Sequence, residues 1–109
     1  MKKILSRADE LVLLSVWRLN GDAYGVTIRK NIIEATEQDW SVGAIYDSLE
    51  RLQNWDYLRS FQSDPTPERG GKRKRFYELT DDGIVALNEL RKVQDTMWLN
   101  LPELGAETN

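Results

Sequence analysis

Three observations predict a mainly α-helical chain carrying one small β-hairpin. Apolar residues recur at steps of three and four in four separate stretches. Two short runs of strand-forming residues flank a tip rich in Pro and Gly. The order is helix, helix, helix, hairpin, helix, which places the hairpin directly after two helices joined by a short turn.

The first helix is expected over residues 8–19, with Asn20-Gly21-Asp22 as its stop. Leu11, Val12, Leu13, Leu14, Val16, Trp17 and Leu19 cover more than one stripe, so this helix must be covered on more than one side. Its own core accounts for one side and a partner subunit for the other, and Trp17 is expected inside. Ala23-Tyr24-Gly25 opens a second helix over residues 25–36, with Ile28, Ile32 and Ala35 on its apolar stripe. Arg29 and Lys30 lie off that stripe and read as surface charges. Trp40 and Trp55 have no assigned place.

The third helix is the one around which the chain is arranged. Val42, Ile45, Leu49 and Leu52 form one apolar stripe, and Ser41 stands where its hydroxyl can cap the first turn. The opposite face reads Gly43, Ala44, Asp47, Ser48 and Arg51, with Tyr46 at its edge. Small residues at the N-terminal end of that face leave room for close approach by another molecule. Asn54 or Asp56 is expected to end the helix in a left-handed conformation.

Residues 57–63 and 73–80 have strand composition, and residues 64–72 between them hold two prolines and two glycines. A hairpin in this position is a wing, so the predicted architecture is a winged helix-turn-helix. Thr80 caps a last helix with Asp81 and Asp82 in its first turn. Along it Ala86, Leu90, Val93, Met97 and Leu101 form a seam like that of a coiled coil, widened by Ile84, Leu87 and Trp98. A second copy of the chain would cover that seam. The expected division is a DNA-binding domain over 1–80, a dimerisation helix over 81–102 and a frayed tail over 103–109.

Composition narrows the function. With 109 residues, one domain is expected. There is no Cys and no His, which removes disulfides, thiolate metal sites, the usual general base and the commonest metal ligand. No nucleophile motif is present, so an enzyme is not expected, nor any cofactor or metal. The longest uncharged apolar run is far below the ~20 residues of a membrane helix, and the start lacks the pattern of a signal peptide. The protein reads as cytoplasmic, with no membrane partner.

The net charge of −3 speaks against nucleic acid, but its distribution does not. Residues 69–75 carry five of the 15 basic side chains and no acid, while the remainder of the chain is strongly acidic. Such asymmetry points to one local electrostatic contact. Gly71, Lys72, Arg73, Lys74 and Arg75 are therefore candidates for phosphate contact, the bland reading being a solvated strand edge protected by charge. The start of helix two at Tyr24 and Gly25 either begins a helix and nothing more, or offers free N–H groups to a phosphate. Tyr46 either fills the core or extends its phenol to a phosphate. Arg51 either pairs with Asp47 one turn earlier or reaches DNA.

With these residues in place, the sequence resembles the PadR family of transcriptional regulators in its short form. The resemblance is carried by Leu11-Val12-Leu13-Leu14, Ala23-Tyr24-Gly25, Gly43-Ala44-Ile45-Tyr46-x-x-Leu49-x-Arg51-Leu52 and Gly70-Gly71-Lys72-Arg73-Lys74-Arg75-Phe76-Tyr77-x-Leu79-Thr80-x-x-Gly83. It implies a homodimeric winged helix that binds double-stranded DNA at an inverted repeat, usually as a repressor. Helix three would enter the major groove with the wing beside it, giving DNA-facing roles to Tyr24, Gly25, Ser41, Gly43, Ala44, Tyr46, Asp47, Ser48 and residues 71–75. Dimerisation would use Leu11 and Leu14 of helix one with Ala86, Leu90, Val93, Met97, Trp98 and Leu101. In some relatives a small aromatic or cationic effector releases DNA, for which Trp98 is the candidate platform. Relatives commonly have Gly where Asp56 stands and lack an acid where Asp47 stands; Asp47 can accept from cytosine N4. A different class of function is a protein-interaction module whose basic wing meets an acidic partner.

Overall fold

A computed structural model describes residues 3–63 and 74–102. Its first helix, α1 (Arg7–Arg18), begins in a reciprocal cap. Ser6 Oγ accepts from the Asp9 N–H at 3.1 Å, and Asp9 Oδ2 accepts from the Ser6 N–H at 3.0 Å. Gly21 turns the chain at φ 87°, a conformation glycine takes without a Cβ clash. Helix α2 (Gly25–Thr36) follows, and then α3 (Val42–Asn54), with Ser41 Oγ accepting from the Ala44 N–H at 3.1 Å as its N-cap. Between them Glu37 is left-handed at φ 55°, and Trp40 reaches back to donate its indole N–H to Thr36 Oγ1 at 3.1 Å.

Strands β1 (Leu58–Gln62) and β2 (Arg75–Leu79) pair antiparallel, from Leu58 opposite Leu79 to Gln62 opposite Arg75. On its other edge β2 meets the residues before α2: Tyr24 bridges Phe76, and the Tyr77 N–H donates to the Ala23 carbonyl at 2.8 Å. The hairpin is thereby tied to the start of α2. Helix α4 (Asp81–Trp98) is capped by Thr80, whose Oγ1 accepts from the Gly83 N–H at 3.0 Å.

The core gathers Val12, Leu13 and Val16 of α1, Ile28 and Ile32 of α2, Ile45, Leu49 and Leu52 of α3, and Leu58 and Tyr77 of the hairpin. Helix α1 packs on α2, α3, α4 and β2, so it is the hub of the fold. The expected architecture is present, and the expected caps at Ser41 and Thr80 form.

Several expectations change. Helix α1 starts at Arg7 because Ser6 is its cap, one residue earlier than the apolar pattern suggests. Both strands are shorter than their composition. Trp17 is 60% exposed and so is not core, because it lies along an open groove with Leu14, Leu79, Ile84 and Leu87. Ala86 is buried within its own chain and so leaves the proposed intersubunit seam. Ala35 and Val42 are exposed although their spacing fits a stripe. Of the two candidates for the left-handed exit of α3, Asp56 takes it, at φ 61°. Its carbonyl accepts from Thr80 Oγ1 at 2.5 Å, which ties the exit of α3 to the start of α4.

The largest correction concerns Ser48 and Arg51, expected on the bare face of α3. Ser48 is fully buried and donates to Asp9 Oδ1 at 2.9 Å. Arg51 Nη2 donates to the same oxygen at 2.6 Å and its Nε to Oδ2 at 3.3 Å. Ser48 thus cannot touch a base edge, and Arg51 pairs with Asp9, not Asp47. Burial works to raise the Asp9 pKa, but Arg51, the Ser6 N–H and the Ser48 hydroxyl together hold it below the usual carboxylate value.

Because the folded pKa is depressed, the contribution of Asp9 is present above its unfolded value near ~3.9 and is lost as pH falls through the folded one. Asp9→Asn should cost about 2 kcal/mol in urea unfolding at pH 7 and flatten the loss of stability on acidification below about pH 4. A variant whose acid limb matches the parent's would show that Asp9 is not held this way.

Candidate nucleic-acid interface

Helix α3 turns one row of residues to solvent: Val42, Gly43, Tyr46, Asp47 and Glu50. Two things leave this row open. A Cβ added at Gly43 would meet nothing within 4 Å, so the protomer itself does not require glycine there. The Asp47 side chain has no hydrogen bond or ion pair among the described residues; its field only helps keep Arg51 protonated. Ala44 is half-buried beside the row, and Ser41 is exposed with its oxygen engaged as the cap.

Beside the row lies a cleft lined by Tyr24, Gly25, Val26, Tyr46, Lys74, Arg75 and Tyr77. The pairing of β2 with Ala23 and Tyr24 brings these residues together, because it sets the wing's descending strand against the first turn of α2. Lys74 Nζ donates to Tyr24 Oη at 3.0 Å and lies 4.1 Å from the centre of that ring, so the ammonium is held at the cleft mouth. The Tyr24 ring in turn meets Phe76 edge-on at 5.3 Å. Arg75 is exposed next to it. Tyr77 is buried, which pushes its phenol pKa up against the opposing pull of Arg75, so it stays a neutral hydroxyl.

Tyr46, half exposed, lies across Gly25 so closely that a Cβ on Gly25 would overlap its phenol. Gly25 itself is buried, so the start of α2 is screened in part by the Tyr46 ring. Helix α2 has no acid in its first turn, leaving the positive end of its dipole uncompensated there. Tyr24, Gly25, Tyr46, Lys74 and Arg75, singled out from separate motifs, thus share one cleft. Asp47, Gly43 and Ser41 lie along the adjoining helix. Gly71, Lys72 and Arg73 lie outside the described residues.

Arg29 is not the ordinary surface charge it resembles. Its Nε donates to the Trp40 carbonyl at 2.6 Å and its Nη2 meets Asp39 at 3.3 Å, bracing the turn that delivers α3. Sequence reasoning missed this, since the turn had no helical spacing to read. It also missed Asp9, although Ser6-x-x-Asp9 has the spacing of a capping box.

Of the dimer candidates, Leu11 and Leu90 are half-buried within the protomer, and Leu14, Val93, Met97, Trp98 and Leu101 are exposed. Leu14 and Trp17 line a groove with Leu79, Ile84, Leu87, Asn88 and Arg91. No helix of the described residues is long and apolar enough to cross a membrane.

The two crowded glycines should respond differently to alanine. At Gly25 the obstacle is the far end of a side chain, which can swing, and helix propensity returns up to about 1 kcal/mol. At Gly83 the obstacle is the Tyr57 carbonyl, which cannot move without the hairpin. Gly25→Ala should leave the stability measured by urea unfolding within about 1 kcal/mol of the parent, and Gly83→Ala should lose about 2 kcal/mol or more. Equal losses would count against the Tyr46 ring being able to swing aside.

Residues 13–89 match the transcriptional regulator PadR-like family. The chain is similar to a PadR family transcription regulator from Clostridium difficile R20291, at 26% identity over 84% of this chain and 90% of that one, with a TM-score of 0.68. A transcriptional regulator from Clostridium thermocellum is 24% identical over 82% of this chain and 83% of that one, with a TM-score of 0.67. The PadR-like regulator BC4206 of Bacillus cereus ATCC 14579 shares the fold at 19% identity, covering 82% of each chain with a TM-score of 0.68. No curated protein matches significantly. With the family matched across the helix-turn-helix, the hairpin and half of the last helix, the chain belongs to the PadR-like transcriptional regulators, which are DNA-binding regulators and not enzymes.

Proposed function

We propose that this regulator is a repressor that binds an inverted-repeat operator as a homodimer in the cytoplasm. The observation that carries the reading is the cleft where Tyr46, the start of α2, Lys74 and Arg75 meet, beside the open row of α3. Phosphate contacts come from Lys74 and Arg75, from Lys72 and Arg73 just before them in the sequence, and from the Tyr46 phenol and the first turn of α2. Gly43 and Ala44 let the α3 backbone approach the groove, Ser41 offers its remaining hydroxyl hydrogen to the backbone, and Asp47 accepts from cytosine N4. Residues 1–80 then serve as the DNA-binding part and residues 81–102 as the dimerisation helix. Two copies of α3 about 34 Å apart would meet half-sites one helical turn apart.

The second subunit is supported by the exposed apolar residues of α4 and α1. Val93, Met97, Trp98 and Leu101 are all more than half exposed, and Trp17 and Leu14 stand beside the groove at Leu87. Apolar surface concentrated in this way is what a partner covers. Trp98, its ring exposed, is the platform proposed for a planar aromatic or cationic effector.

Two measurements test the reading. Replacing Lys72, Arg73, Lys74 and Arg75 by Ala should weaken binding to every DNA sequence and lower the log–log salt slope by roughly 3–4 per protomer; an unchanged slope would remove the wing from phosphate contact. Val93→Asp with Met97→Asp should give a monomer in sedimentation that loses the inverted repeat while keeping a folded winged helix. A variant that remains dimeric would place the interface elsewhere.

A further inference from the structure

The open row of α3 lacks the side chains that read purines. Between Val42 and Glu50 it holds no Arg, Lys, Asn or Gln, the residues that bond in pairs to guanine or adenine edges. The helix's one arginine, Arg51, is turned inward onto Asp9, and Gln53 is engaged with Ser60 Oγ at 3.0 Å. Two chemistries remain on the row. Carboxylates can accept from the cytosine amino group, and an apolar side chain can pack on the thymine methyl.

Val42 is that apolar side chain. It is the first residue of α3, where a groove-entering helix meets base edges, and it is 53% exposed. Its neighbour Gly43 adds no side chain that would hold DNA away. Val26, 65% exposed on the first turn of α2, lines the same cleft as Val42 and Tyr46. That cleft shares Gly25, Val26 and Tyr46 with the one holding Lys74 and Arg75. A single exposed valine is ordinary. Here Val26 also lines the cationic cleft, and Val42 stands with Tyr46 on the open row that carries Asp47, where DNA bound as proposed above would pass.

We propose that Val42, backed by Val26, packs against the C5-methyl of a thymine in each half-site, so that direct readout by α3 rests on pyrimidines. The inference rests on the DNA-binding reading of this face. The test starts by selecting the preferred site of the full chain from a random duplex library. Each thymine of that site is then replaced in turn by deoxyuridine, which removes the methyl and nothing else. One thymine per half-site should lose about fourfold in affinity on replacement. Val42→Ala, at an exposed position, changes both subunits and should lose that factor once for each half-site on the thymine duplex, and nothing further on a duplex with uracil at both contacted positions. Affinity indifferent to uracil at every half-site thymine would overturn the proposal, as would a Val42→Ala variant that still suffers the full uracil penalty. Failure of the library to yield any preferred site would instead overturn the regulator reading on which the proposal stands.

Discussion

One carboxylate holds the working helix in place. Asp9 caps its own helix through Ser6 and is met across the core by Ser48 and Arg51 of α3. Burying a carboxylate is costly unless every oxygen is bonded and a cation answers it, and here both conditions hold. Because Arg51 keeps part of its surface in water, the pair gains its attraction without full desolvation of both ions. An apolar contact alone would let α3 slide or roll on α1. A directional, charge-assisted cluster fixes the rotation of α3, and with it which residues face outward.

That rotation separates two sets of residues that look alike in sequence. Ser48 and Arg51 turn inward to Asp9, while Asp47 and Tyr46 turn outward. The outward set acquires its surroundings from the hairpin. Since β2 meets Ala23 and Tyr24 as well as β1, the hairpin and the start of α2 are joined by backbone pairing. Lys74 is then held at the Tyr24 ring by a hydrogen bond and a cation–π contact. An acidic protein meets a polyanion most easily in this way, through a few cations held at one edge with the remaining negative charge elsewhere.

The same division of labour explains α4. Its first turns belong to the domain: Gly83 presses on the Tyr57 carbonyl and Ala86 is buried. Beyond Leu90 every described residue is exposed, including Val93, Met97 and Trp98. A helix that is covered at one end and apolar but bare at the other spans two environments within a single periodic pattern. Periodicity cannot mark where one environment gives way to the other.

Local chemistry in the sequence determined the elements and their order. Ser41 and Thr80 announce their helices, Gly21 stands in the turn after α1, and the stripes of α2 and α3 mark their buried sides at Ile28, Ile32, Ile45, Leu49 and Leu52. The family motifs and the basic block near the wing are legible for the same reason, being contiguous. Only the tertiary structure decided what depends on residues far apart. Asp9 meets Arg51 across 42 positions and Lys74 meets Tyr24 across 50, distances at which no spacing rule operates. Trp17 and Ala86 show the same thing in packing: each fits an apolar pattern, and the neighbouring elements determine whether it is covered. Hydrophobic periodicity reports which side of a helix is apolar, but burial is a property of what comes to rest against it.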